Sequence, residues 1–198
     1  MHGLREIHLK INVIPMNKIN IYIALFMMLM SMKAFAQQKA SLVSKETSIT
    51  FFSNAPLEDI EAKSILGASA MNLQSGDIIF RVKNTSFQFD KKLMQEHFNE
   101  NYMESDRYPL SEFKGKVENA DKLTKDGNYT LNVTGALQIH GVTKPYSTKA
   151  AFIVKDGTLK AVTSFQVKLA DHKISIPSIV GKKIAEVVKI TVDATYKP

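Results

Sequence analysis

Beyond its first 36 residues the chain carries three histidines, His97, His140 and His172, and one acidic cluster, Glu58, Asp59 and Glu61, the side chains from which a metal site or an acid–base pair would be built. Neither is expected here. No two histidines are spaced to share a helical turn, and no His-Glu-x-x-His run is present. His140 precedes Gly141 at a strand-to-corner junction, where a turn hydrogen bond accounts for it, and His172 follows Asp171 in a lysine-rich connection. On a strand Asp59 and Glu61 share one face, which reads as solvent-facing. The chain has no cysteine, so disulfides, thiolate metal sites, thiol nucleophiles and cysteine-linked lipid anchors are excluded. No serine sits in Gly-x-Ser-x-Gly and no glycine loop is built to cradle phosphate. No catalytic residue, metal or cofactor is therefore expected, and the chain does not read as an enzyme; a polar cluster around His97 or His172 inside a cavity would revive that reading. Asn84-Thr-Ser, Asn128-Tyr-Thr and Asn132-Val-Thr match the glycosylation pattern, which is short enough to recur by chance.

The elements that would position any site are strands. Tyr129, Leu131, Val133, Gly135, Leu137 and Ile139 fall on one parity, with Thr130, Asn132, Thr134 and Gln138 on the other, the period of a strand with one dry face. After Pro145 a second alternating run reaches Lys155, so two long antiparallel strands joined at a Gly-Val-Thr-Lys-Pro corner are expected. Further strand-like segments are Ser48 to Ser53, Glu58 to Ser64, Ala68 to Leu73, Asp77 to Lys83, Ser86 to Phe89, Glu112 to Glu118, Leu159 to Leu169 and Glu186 to Tyr196. Ser75-Gly76, Asp126-Gly127 and Asp156-Gly157 separate alternating runs, and Asp-Gly in that setting signals a hairpin. Lys91 to Met103 breaks the pattern. It carries Leu93, Met94, His97, Phe98 and Tyr102 at helical spacing behind Asp90, an N-cap residue type, and predicts a helix. The fold class is all-β: an antiparallel up-and-down, lipocalin-like barrel of about eight strands with one interrupting helix near 91–103, or, on alternation alone, a two-sheet sandwich.

Ile19 to Met32 is apolar apart from Asn20 and Ser31, Lys18 precedes it, and Ala34-Phe-Ala36 supplies the small residues a signal peptidase reads. Residues 1–36 are expected to be a cleaved signal peptide, with Met16 a possible true start, and 37–198 one domain of 162 residues. The apolar run is shorter than the roughly 20 residues of a membrane-spanning helix, so no stable membrane anchor is expected. A periplasmic location follows. The formal charge falls from +7 for the whole chain to +4 without the leader, and its lysines are scattered, which reads as a solvated face. No nucleic-acid partner is expected, because no basic stripe is interleaved with aromatics.

Two segments together resemble the YceI-like family: Arg107-Tyr-Pro-Leu-Ser-Glu-Phe113, feeding a strand, and Gly135-Ala-Leu-Gln-Ile-His-Gly-Val-Thr-Lys-Pro145. The resemblance runs from about Ala40 to Tyr196 and is strongest from Leu93 to Pro145. It implies a barrel that holds a long isoprenoid chain, such as a quinone tail or polyprenyl lipid, along its interior. The chain departs from the family pattern in two places. Only His97-Phe98 stands where an Arg-Asp-x-His-Leu run is common, and Leu169 to Gly181 lacks the usual Arg and Phe-Gly. With an isoprenoid-like or other apolar lipid as partner, the expected interior and mouth residues are Phe80, Phe87, Phe89, Leu93, Met94, Phe98, Tyr102, Phe113, Leu131, Val133, Phe152 and Phe165, with Val167 also inward. The competing reading is that they fill a solid core and the protein acts through its surface as an envelope or stress protein.

Overall fold

Alternating sequences become strands because one parity can be buried. In β6 (Gly127–Ile139) the odd residues turn inward, and in β7 (Val142–Lys155) Tyr146, Thr148, Ala150, Phe152 and Val154 do, while the residues between them are exposed. A computed structural model describes residues 41–177 and 184–197, so the leader expected at 1–36 lies outside the described residues. Its other strands are β1 (Ser41–Asn54), β2 (Asp59–Asn72), β3 (Asp77–Lys83), β4 (Gln88–Phe89), β5 (Leu110–Val117), β8 (Thr158–Lys168) and β9 (Val187–Tyr196). Neighbours along the chain pair antiparallel, and β1 closes on β9 from Glu46↔Thr195 to Phe52↔Lys189. Eight strands thus form a closed up-and-down barrel, and two-residue β4 adds a short pairing beside β2, Ala62↔Phe89 and Lys63↔Gln88. Closure excludes the sandwich.

Several boundaries differ from those expected. Glu58 to Ser64 and Ala68 to Leu73 belong to one strand, β2, whose partner β1 shifts register between Ser44 and Ile49. The intervening Ile65 and Leu66 are exposed, which hid the continuity. The β6–β7 connection is not a Gly-Val-Thr-Lys-Pro corner but a two-residue turn of His140 and Gly141, both at positive φ, with Ile139 opposite Val142. Pro145 lies within β7, opposite Ala136. Asp156-Gly157 makes the expected tight hairpin, with both residues at positive φ. Asp126-Gly127 does not: a 3₁₀ turn, Ala120–Thr124, intervenes between β5 and β6. That turn presses Ala120 and Leu123 into one end of the barrel, where Met71, Val117, Leu131, Phe152, Val154, Leu159 and Tyr196 form a solid core.

At the opposite end the chain leaves the sheet between β3 and β5. Helix α1 (Lys92–His97) continues into a π-turn over Phe98–Tyr102. Its N-cap position is Lys91 and carries no side-chain capping bond, so Asp90 does not cap it. Packing of the apolar face must hold so short a helix in place. The root of this excursion is pinned by fully buried Asn84, whose Nδ2 donates to the Tyr108 carbonyl (2.6 Å) and whose Oδ1 accepts from Ser111 (2.8 Å).

Candidate functional site

The barrel is not filled. Above the solid end, a cavity of about 520 Å³ runs to the helix and is lined overwhelmingly by hydrocarbon. Eight strands enclose an interior just wide enough for side chains to fill; here Ala150, Ala161 and Ala194 occupy neighbouring inward positions on β7, β8 and β9 and leave it partly empty. Of the residues expected at the interior and mouth, Phe80, Phe87, Phe89, Leu93, Met94, Phe98, Tyr102, Phe113, Val133, Phe152 and Phe165 line the cavity, as does Val167. Leu131 does not; it lies in the solid core beneath. Leu93 is 60% exposed, at the rim. Parity also contained Leu137 and Ile190, lining residues that the sequence reading did not single out.

Phe98 joins the helix to the barrel. Its ring stacks on Phe51 (6.0 Å between centroids) and meets Phe87 (5.6 Å) and Phe89 (5.1 Å) at a tilt, geometries favourable to aromatic pairs. An ion pair, Lys91 Nζ to Glu58 Oε1 at 2.6 Å, crosses the same rim. Tyr102 lines the cavity with its hydroxyl unbonded among the described residues, and burial raises its pKa. At the floor Tyr196 donates to Ser69 Oγ (2.6 Å), which donates to the Ile79 carbonyl (2.9 Å). Among the described residues, no three His, Cys, Asp or Glu are grouped to hold a metal ion, and no helix is long and apolar enough to cross a membrane.

The two sequence segments that carry the family resemblance meet in space. Tyr108 packs its ring against His140 (4.6 Å) and lies over Gly141, where an added Cβ would sit 2.5 Å from it. His140 Nδ1 donates to the His172 carbonyl (3.1 Å), and its Nε2 lies 2.9 Å from Glu104 Oε1. His140 does occupy a turn, but its side chain bonds residues 32 and 36 positions away and closes no turn hydrogen bond. His172 is fully buried, with Nδ1 donating to the Val142 carbonyl (3.0 Å) and Nε2 facing the Tyr146 hydroxyl (3.1 Å). Nothing local in Asp171-His172-Lys173 signals this, because the contacts span 26 and 30 residues.

Burial holds His172 below the ordinary imidazole range, so the folded protein keeps it neutral. In acid the unfolded chain then binds a proton that the folded chain refuses. This share of stability is complete above pH 6.5 and declines as pH falls from there toward the lowered folded-state value. Thermal melts of wild type and His172→Asn across that window are expected to show a shallower acid slope in the variant. Equal slopes would remove His172 as a source of the pH dependence.

The described barrel can be set beside known proteins. The model of the YceI-like domain matches residues 31–196. A search of curated proteins found no match. Among solved structures, a polyisoprenoid-binding domain from Saccharophagus degradans implicated in plant cell wall breakdown superposes with a TM-score of 0.70 at 13% identity, over 80% of this chain and 98% of that one. Burkholderia cenocepacia BcnA gives 0.64 at 15% identity, over 75% and 95%. The Campylobacter jejuni YceI protein gives 0.51 at 19% identity, over 65% and 78%. At these identities the likeness is one of fold. The match over residues 31–196 covers most of the sequence, and the chain belongs to the YceI-like family.

Proposed function

We infer that the barrel binds an extended apolar lipid, isoprenoid-like in character, and shields it from water without doing chemistry on it. The cavity carries this reading: an apolar void of about 520 Å³ inside a barrel otherwise packed. Each Å² of hydrocarbon moved from water onto such a wall contributes about 25 cal/mol, so an extended chain needs few polar contacts to be held. The void takes part of an extended chain, and a longer tail would extend past the helix. The polyisoprenoid-binding relative supports the lipid class. Export through the leader at 1–36 would place the protein in the periplasm as a soluble carrier or store, without a membrane anchor or a nucleic-acid partner. The solid-core alternative is disfavoured by the cavity.

Native mass spectrometry of the protein purified from its own envelope, with extraction and identification of what is released, tests the reading. A stoichiometric apolar lipid is expected. Ala150→Phe, which places a ring in the void, should arrive folded and empty. A wild-type protein that is empty and takes up no added prenyl lipid would overturn the assignment.

A further inference from the structure

The cavity wall is not uniformly hydrocarbon. On β7 and β8 it carries three hydroxyls, Tyr146, Thr148 and Thr163, and the geometry commits their protons. His172 Nδ1 faces the Val142 carbonyl, which only accepts, so Nδ1 bears the hydrogen of the neutral ring. Nε2 is then a lone pair, and the Tyr146 hydroxyl 3.1 Å away must donate to it. Burial raises the Tyr146 pKa, so the phenol keeps that proton. Thr163 donates to the Lys149 carbonyl at 2.9 Å. The neighbours of Thr148 are Thr163 Oγ1 at 3.2 Å and the Lys149 and Ser164 carbonyls at 3.4 Å, so its proton also has an acceptor within the protein.

We propose that this wall is a polar subsite that presents lone pairs to the cavity and selects apolar ligands ending in a hydrogen-bond donor, long-chain alcohols above all, over carbonyl or ether analogues of the same length. A ligand hydroxyl can donate to Tyr146 Oη while its tail lies along the alanine-lined space beside Thr163, opposite Ala150. A ligand carbonyl meets lone pair against lone pair. For Tyr146 to turn its proton toward that carbonyl would break its hydrogen bond to buried His172 Nε2. Tyr102, whose hydroxyl is uncommitted, makes no such distinction at the helix end.

The inference rests on the lipid-binding reading, and binding of three matched probes to the purified, delipidated full barrel separates the two. The probes are farnesol, farnesyl methyl ether and farnesal. Wild type is expected to prefer farnesol by about three- to tenfold, the worth of one net hydrogen bond. Tyr146→Phe should erase the preference by weakening farnesol alone, and Thr148→Val should reduce it. Equal affinity of wild type for all three probes, or a preference that survives in Tyr146→Phe, overturns the subsite while leaving a lipid carrier standing. If wild type binds none of them, the carrier reading itself has failed. Should Tyr146→Phe not fold, the wild-type ranking with Thr148→Val decides: a farnesol preference reduced by the substitution supports the subsite, and any other ranking overturns it.

Discussion

Replacing Phe98 with aspartate is expected to leave the barrel folded but unable to retain its lipid. The Phe98 ring lies between Phe51, Phe87 and Phe89, and these contacts hold α1 and its π-turn against the rim. A carboxylate at this half-buried position loses aromatic packing and sets a charge against three rings, a cost of about 1–3 kcal/mol. Undocking the helix relieves that cost. The strands of the closed sheet do not depend on it, since the excursion is pinned separately at Asn84. Far-UV circular dichroism and the main melting transition should therefore survive, while native mass spectrometry shows loss of the bound lipid and release is accelerated at least tenfold. Phe98→Leu, which keeps the site apolar, should retain most of the lipid. Full lipid content in a folded Phe98→Asp protein would show that the helix does not govern retention.

Gly135→Val is expected to have the largest effect on stability, about 3 kcal/mol or more, enough to unfold a marginal domain. Gly115 on β5 and Gly135 on β6 stand opposite each other, and a Cβ on Gly135 would lie 2.3 Å from the Lys114 carbonyl oxygen and 2.6 Å from the Gly115 Cα. Both obstacles are backbone, so no rotamer change relieves them. The Phe113 ring covers the same two glycines, with its Cζ 2.7 Å from either hypothetical Cβ, an aromatic ring filling the space that absent side chains leave. Valine must part the two strands or displace Phe113 from the cavity wall. Urea denaturation of the variant should give a lower midpoint or no folded baseline; a midpoint within measurement error of wild type would refute the close-approach argument.

Much of this protein is legible in its sequence, for a local reason. Strand alternation has a period of two whatever the rest of the chain does, so the inward parity of β6 and β7 and the regular last strand can be read from Tyr129 to Lys155 and from Val188 to Tyr196 alone. Helical spacing over Lys91 to Met103 likewise marks the helical excursion between β3 and β5. Where side chains and partner strand disagree, reading fails: exposed Ile65 and Leu66 in mid-β2 break the alternation, because the strand there adjusts to a register shift in β1. His140-Gly141 looks like part of a longer corner until both residues are seen at positive φ beneath Tyr108.

The sequence by itself determined an all-β chain of about eight strands, the interrupting helix and the inward parity of its regular strands, because these follow from periodicity and turn chemistry over a few residues. Only the tertiary structure decided that the sheet closes, that the interior is open beside Ala150, Ala161 and Ala194, and that His172 is buried under Tyr146. Cavity volume depends on how large and small residues from strands distant in sequence meet across the barrel. A hydrogen bond between β7 and the turn after β8 leaves no local trace in either segment.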